Sequence, residues 1–215
     1  MKRLLLAAAA ALSFAVPADA ATLVTADRYL DVDTGRYVDN PAILVGDDGR
    51  IQAIGSLAAM QVPQGTKHID LAGKTLLPGL IDMHVHLGPA DISGYRGLEF
   101  TDSFWMAVGT STARDMLDAG FTTVRILGSG YWGDVGLKQA IVAGYVVGAR
   151  IVPAGHALGA TGGHCDSTYL PPSLEKDEKE EGIGDSPEEL KYQVRRQSKY
   201  GAEVIKVCAT GGVFS

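Results

Sequence analysis

The stretch Thr75–Gly88, TLLPGLIDMHVHLG, decides the fold prediction for this chain. Pro78 and Gly79 bound an apolar run, a pattern typical of a short buried strand. His84 and His86 stand two residues apart at the end of that run, so both imidazoles leave the backbone on one face. Imidazoles placed in this way can bind one metal ion at about 2.0–2.1 Å. The alternative is a pair of strand-end histidines that are hydrogen-bonded to backbone.

Strand and helix patterns alternate after this stretch. Residues rich in β-branched side chains predict strands at 121–127, 150–154 and 203–207, and apolar residues at helical spacing predict helices at 104–117 and 136–145. Ser186 and Glu189 form a capping box that predicts the start of a third helix, with Pro187 in its first turn. Gly120 and Gly201 suit the left-handed position that ends a helix. The alternation argues for a parallel sheet built from βα units.

The sequence before the histidine pair has a different pattern. Short β-prone runs lie at 22–24, 42–45 and 51–54, and Asp47-Asp48-Gly49-Arg50 is a hairpin turn signal between the last two. We therefore predict a small β-sandwich segment over residues 21–75, followed by the βα units from residue 76 to 215.

Residues 1–20 have the pattern of a secretory signal peptide. Lys2 and Arg3 precede an apolar stretch, and Ala18-Asp19-Ala20 resembles a cleavage site. The apolar stretch is too short to span a bilayer, and the alternative is a buried N-terminal helix. We expect the mature chain to begin at Ala21, to be periplasmic or secreted, and to contain no membrane span.

Composition limits the partners. The chain is 46% hydrophobic and 20% charged, as in an ordinary globular protein, and its formal net charge of −6 argues against a nucleic-acid partner. We expect small-molecule partners.

Five motifs, in order, resemble the amidohydrolase superfamily: GRIQAIG, TLLPGLIDMHVHL, AGFTTVR, TGGH and EVIKVCATGG. They are most similar to its imidazolonepropionase-like and Xaa-Pro dipeptidase-like branch. The resemblance implies an α/β fold, a TIM-like (β/α)₈ barrel flanked by a β-sandwich. A complete barrel takes about 250 residues, so residues 76–215 should supply its first four βα units. The chain is then half a barrel, truncated or a fragment, and inactive alone.

Lys206 is implied as the next ligand after the two histidines. The neutral amine is the accessible form of a buried lysine, and it can add CO₂ to give a carbamate. In the superfamily a carboxylated lysine at the end of the fourth strand often bridges two metal ions. His84, His86 and Lys206 would therefore hold two divalent ions, expected to be Zn²⁺, with Lys206 also counted as catalytic. The alternative is a lysine that extends from the strand end to solvent.

A glycine-rich loop follows the third strand, at 161–166. Loops at the C-terminal ends of barrel strands face the active site, and the resemblance makes His164 and Asp166 candidates for substrate binding. A purely structural role for His164 is the alternative. We interpret His156 as structural, and His68 has no chemical neighbour in its segment.

The implied reaction of the full-length protein is hydrolysis of the amide bond of a small substrate such as a dipeptide, by a metal-bridging hydroxide. Two further histidines and an aspartate of the family site would lie beyond Ser215, and the full-length protein should be a homo-oligomer. One alternative is a cyclic-amide hydrolase or a deaminase with one metal. Another is a truncated, non-catalytic product that binds a partner through its open sheet edge.

Cys165 and Cys208 each follow the end of a strand, the third and the fourth. Adjacent strands permit a disulfide, and an exported protein favours oxidation. Against this, a bridge would stiffen a substrate loop, and small thiols are common buried fillers. We expect free thiols.

Overall fold

The computed structural model describes residues 21–88, 94–166, 171–174 and 182–212. The predicted signal peptide at 1–20 lies outside the described residues. The chain divides into two compact units, Met1–Pro78 and Gly79–Ser215. In the described part of the chain, none of the helices has the length and apolar character needed to cross a bilayer.

The first unit contains one five-stranded sheet. Its strands are β1 (Thr22–Asp31), β2 (Arg36–Asp39), β3 (Pro41–Val45), β4 (Ile51–Ser56) and β5 (Lys67–Leu76). β1 pairs antiparallel with β2 and with β3, and β4 pairs antiparallel with β3. β5 returns parallel to β1. A sandwich requires a second sheet that faces the first. The described residues of this unit form a single sheet, so the sandwich stays a prediction.

The hairpin between β3 and β4 has the predicted turn. Gly49 adopts a φ of +73°, a conformation that favours glycine. The carboxylate of Asp48 accepts the N–H of Arg50 at 3.0 Å, and the Arg50 carbonyl accepts the N–H of Gly46 at 2.9 Å. The turn therefore closes through local hydrogen bonds that the sequence encodes.

The second unit alternates strands and helices. Its elements are β6 (Leu80–Val85), α1 (Asp102–Asp118), β7 (Phe121–Ile126), α2 (Gly133–Val142), β8 (Arg150–Pro153) and α3 (Pro187–Lys199). The strands pair in parallel in the order β6-β7-β8. Parallel neighbours need a crossover, and α1 and α2 provide the two crossovers.

The core of the second unit lies between these strands and helices. Val124, Ile126 and Ile151 point from the sheet toward Ala113 of α1 and Leu137 of α2, and all five are nearly inaccessible to solvent. Because side chains alternate along a strand, the residues between these positions face the opposite side of the sheet. The candidate site lies on that opposite side.

The helix ends follow the predicted signals. Gly120, just beyond α1, has a φ of +97°, and Gly201, just beyond α3, has a φ of +106°. At the start of α3, the Ser186 hydroxyl accepts the N–H of Glu189 at 3.3 Å. α2 begins at Gly133, three positions before the predicted Gly136, because the glycine-rich sequence around it hides the helix start from a propensity argument.

The prediction of a fourth strand at 203–207 is wrong, because this segment is not a strand in the structure. Its backbone runs beside the end of β8 with few pairings. The Pro153 carbonyl accepts the N–H of Glu203 at 2.8 Å and that of Val204 at 3.3 Å. Farther along, Leu158 and Val207 form an isolated parallel bridge.

Side-chain acceptors explain why the ladder is broken. The carboxylate of Asp134 accepts the N–H groups of Ala154 and Gly155, both at 2.8 Å. The side-chain carbonyl of Gln197 accepts the next donor, the N–H of His156, at 2.9 Å. Three backbone donors that follow β8 are therefore committed to α2 and α3, and they cannot extend the sheet.

The two cysteines are paired, which overturns the expectation of free thiols. Cys165 and Cys208 form a disulfide with their Cα atoms 5.9 Å apart, inside the range that a disulfide needs. The loop after β8 folds back rather than carrying Cys165 away. A Cβ atom built on Gly159 would lie 3.1 Å from the Cβ of Cys165, and the Leu158 carbonyl accepts the N–H of Cys208 at 2.8 Å.

Candidate metal centre

His84, in β6, and His86, directly after it, lie on the side of the sheet that is turned away from the core. Val85, between them, packs against the core cluster, so the pleat directs both imidazoles to the other side. Their ring centroids are 5.5 Å apart with the planes inclined at 63°. Both side chains are exposed. The structure thus places the two rings as the spacing predicted.

A backbone carbonyl determines the tautomer of His86. The Nδ1 atom lies 3.2 Å from the carbonyl oxygen of Gly128, which can only accept a hydrogen bond. Nδ1 therefore carries the proton in the neutral ring, and Nε2 is left with its lone pair. Such a carbonyl partner is the usual support of a metal-binding histidine.

Lys206 acts on His84 through its charge from a different segment of the chain. Reduced contact with water lowers the pKa of His84, and the positive charges of Lys206, His86 and Arg125 lower it further, against the opposing charge of Asp82. Among these charges, that of Lys206 has the largest effect, although it lies more than a hundred residues along the chain. The fold therefore lets the charge of Lys206 act on His84.

The surroundings of Lys206 differ from the prediction in one respect. Its side chain is half-buried rather than buried, because the segment that carries it is not enclosed by a regular ladder. The backbone position is nevertheless defined. The Lys206 carbonyl accepts the N–H of the buried Leu158 at 2.8 Å.

The loop with His164 and Asp166 is held largely by its own groups. The carboxylate of Asp166 accepts the N–H of Gly162, and its own N–H donates to the Gly163 carbonyl at 3.0 Å. Asp185 fixes the start of the loop by accepting both the N–H and the hydroxyl of Thr161, at 2.9 and 2.7 Å. The observed contact of Asp166 is therefore structural, and its substrate role stays a prediction.

His164 lies against the segment that follows Lys206. A Cβ atom added to Gly212 would overlap the ring of His164, so this ring lies directly against the backbone of Gly212. With the disulfide, this contact joins the loop after β8 to residues 208–212. The two loops that the sequence singled out are thus parts of one surface, and the substrate role of His164 stays a prediction.

Two polar residues of this face were not predicted. Asp82 stands two residues before His84, and its carboxylate accepts the N–H of His84 at 3.0 Å. Arg125 on β7 donates its Nε–H to the Met83 carbonyl at 2.7 Å. An unbroken period of two would place Asp82 with the histidines, but the pairing of β6 with β7 shifts register between Asp82 and Val85, so the hydrogen bond and not the period identifies Asp82. The position of Arg125 depends on strand pairing, which the sequence does not show.

The donor set fits the beginning of a metal site. Two imidazoles on one face, one of them with a carbonyl-fixed tautomer, and a nearby lysine amine are consistent with the predicted ligands. Within the described ranges, no group of three or more His, Cys, Asp or Glu side chains is arranged to hold a metal ion. His156 and His68 lie elsewhere: His156 Nε2 accepts the N–H of Tyr131 at 2.9 Å, and His68 Nε2 lies 2.9 Å from the Thr25 hydroxyl.

Known proteins resemble this chain over most of its length. Ochratoxinase from Aspergillus niger is 33% identical over 218 residues, which cover 90% of this chain and 43% of that protein. Its crystal structure superposes with a TM-score of 0.76 at 30% identity, covering 91% of this chain and 48% of that one. A crystal structure of a Xaa-Pro dipeptidase with bound methionine in the active site gives a TM-score of 0.78 at 31% identity, with the same coverages.

The chain spans about half the length of these relatives. The family model of the amidohydrolase family matches residues 75–215, from the histidine strand to the last residue. That family is generally metal-dependent. The chain therefore belongs to the amidohydrolase family, because the family model matches most of it and its parallel βα units carry the histidine pair.

Proposed function

We propose that this chain supplies part of the active site of a metal-dependent hydrolase that cleaves the amide bond of a small substrate such as a dipeptide. The observation that carries the proposal is the pair of imidazoles on the side of the sheet turned away from the core, with the charge of Lys206 acting on His84. Similarity over 91% of the chain to a Xaa-Pro dipeptidase structure favours a dipeptide among amide substrates.

The histidines would be ligands in a site of two divalent ions, which we take to be Zn²⁺. A bound divalent ion supplies a water of lowered pKa and a charge that polarises a carbonyl. The chain contributes orientation: the Gly128 carbonyl fixes the ring of His86, and the contact of Asp82 with the backbone N–H of His84 holds the strand end.

Lys206 is proposed as a carboxylated lysine. Its neutral Nζ attacks the carbon of CO₂, an N–C bond forms, one proton leaves the nitrogen, and the product carbamate carries one negative charge over two oxygens. Two oxygens on one side chain can bind two ions, which an amine cannot do. A half-buried position beside the histidines leaves Nζ accessible to CO₂.

We also propose export, on the signal-peptide pattern of residues 1–20. The protein acting outside the cytoplasm would then meet small peptides and other amides. N-terminal sequencing of the exported protein should start at Ala21.

Metal content and carbamate formation test the proposal. The protein produced from the complete gene, supplied with Zn²⁺ and then desalted, should contain close to two ions per chain by elemental analysis. His84→Ala and His86→Ala should each lower this number, whereas His68→Ala, in the first unit, should leave it unchanged. Full metal content in both strand variants would exclude the histidines as ligands, and one ion would favour a one-metal deaminase or cyclic-amide hydrolase.

Carbon-13 NMR with labelled bicarbonate examines Lys206 directly. We expect a carbamate signal in the wild type and in Lys191→Ala, which alters an exposed lysine of α3, but none in Lys206→Ala. Short-chain carboxylic acids should partly restore metal binding to Lys206→Ala. An unchanged carbamate signal and metal content in that variant would remove Lys206 from the site.

A further inference from the structure

A cavity of about 610 Å³ opens directly beside His86. It is lined by residues of the loop after β7, the first halves of α1 and α2, and the 3₁₀ turn Gly94–Glu99. A volume of this size is typical of sites for small ligands. His86 is one of the residues that line it, so the cavity adjoins the candidate metal centre.

The walls of the cavity are mainly apolar and aromatic. Trp105 and Met106 of α1 form one side, half-buried, and Phe100 lies edge-on to Trp105 with ring centroids 6.1 Å apart. Leu98 and Tyr131 line it with large exposed surfaces, 55% and 57% of their areas. These exposed apolar surfaces flank a concave space, where an apolar ligand group would cover them.

Two glycines in the wall, Gly97 and Gly133, leave space for the cavity. A Cβ atom at Gly133 would stand 2.7 Å from Sδ of Met106 and 2.9 Å from the hydroxyl of Ser129. A Cβ atom at Gly97 would touch the ring of Trp105 at 3.5 Å. Side chains at these positions would reduce the space or push its apolar wall inward.

The polar groups of the wall are largely committed to the protein itself. Asp134 accepts the N–H groups of Val135, Ala154 and Gly155 at 2.8 Å each. The hydroxyl of Ser129 accepts the N–H of Asp134 at 3.2 Å. A polar ligand group would have to compete with these bonds, whereas an aromatic ring could join the cluster that Phe100, Phe104 and Trp105 already form.

We propose that this cavity receives an apolar side chain of the substrate, preferably aromatic, next to the amide bond that is cleaved at the metal centre. The proposal rests on the proposed function and adds the substrate class. The phenyl ring would enter beside His86 and pack against Trp105, Met106 and Leu98.

Binding without metal separates this proposal from the proposed function. The probes are N-acetyl-L-phenylalaninamide and N-acetyl-L-alaninamide, which are neutral and differ by one phenyl ring. After removal of metal by a chelator, we expect the phenyl probe to bind at least tenfold more tightly by calorimetry or by NMR titration, because the ring leaves water for an apolar wall. Equal affinities, or no binding of the phenyl probe at millimolar concentration, overturn the proposal.

Charge placed at the cavity supplies the matched pair of variants. Leu98→Asp puts a carboxylate on its wall, and Leu57→Asp puts one on a comparably exposed leucine of the first unit, 49% exposed. Leu98→Asp should weaken binding of the phenyl probe at least fivefold and leave the alanine probe and the metal content unchanged. Leu57→Asp should change none of these. Equal effects of the two variants overturn the proposal, whereas selective binding with no metal content would overturn only the proposed function.

Discussion

Single side chains in this protein act through the groups that fix them. The Gly128 carbonyl selects the tautomer of His86, and the ring of His164 lies against Gly212. His156 is fixed in the same way by its neighbours. It is 7% exposed, its Nε2 accepts the N–H of Tyr131, and it packs edge-on against Trp132 at 4.4 Å between ring centroids. These contacts all suit a neutral imidazole.

His156 should make the protein acid-sensitive. Burial, and secondly the charge of Arg196, lower the pKa of His156 from 6.5 to about 4. The unfolded chain therefore binds the extra proton first as the pH falls, so the stabilisation is complete above about pH 6.5 and is lost toward pH 4. The free energy of unfolding should fall by about 3 kcal/mol over this window from this group alone.

Urea unfolding at a series of pH values measures this loss. His156→Gln should have a shallower pH dependence than the wild type, whereas His68→Gln should keep the wild-type dependence. Asp134 also titrates in acid, with its pKa raised by burial, but it is present in all three proteins and cancels in the comparison. The same slope in His156→Gln and wild type would contradict the assignment.

Elements in the second unit are positioned by hydrogen bonds at their ends. α2 and α3 each send a buried side chain, Asp134 and Gln197, to the backbone that follows β8. This arrangement ties both helices to the sheet and at the same time ends the strand ladder. α3 itself begins with a cap that the sequence predicted.

The cap of α3 should contribute measurably to stability. Ser186→Ala removes the hydroxyl that accepts the N–H of Glu189, and a lost N-cap typically costs about 1 kcal/mol. Ser198→Ala, an exposed position near the end of the same helix, should change the free energy of unfolding by less than about 0.5 kcal/mol. Chemical denaturation of both variants decides the point: equal effects would mean that the cap contributes nothing specific.

At the scale of the whole molecule, the disulfide between Cys165 and Cys208 links two segments that are far apart in sequence. It joins two residues 43 positions apart and holds the loop after β8 against the segment of Lys206. The loops that contain His164 and Lys206 therefore cannot separate while it is intact. Loss of the bridge would loosen the surface beside the candidate metal centre.

Thiol titration should find no reactive cysteine in unfolded, unreduced protein and two after reduction. Cross-linking a loop of this length stabilises a protein by up to about 4 kcal/mol in the chain-entropy treatment. Reductant should therefore lower the denaturation midpoint of the wild type and leave that of a Cys165→Ser, Cys208→Ser double variant unchanged. Two reactive thiols before reduction would show that the bridge does not form in solution.

The sequence by itself determined the features that depend on neighbouring residues. The turn at 47–50, the cap of α3 and the common face of His84 and His86 all follow from local hydrogen bonds or from the period of two along a strand. The alternation of strands and helices followed from the same local patterns. These predictions hold because the groups that decide them lie within a few positions of each other.

Tertiary structure decided the features that depend on distant partners. The segment 203–207 is β-prone and was predicted as a strand, but it is not one. Its local sequence does not show that Asp134 and Gln197 accept the backbone N–H groups that follow β8. The pairing of Cys165 with Cys208 depended on a loop that folds back over Gly159. The effect of the Lys206 charge on His84 likewise joins segments far apart in sequence, which local patterns do not encode.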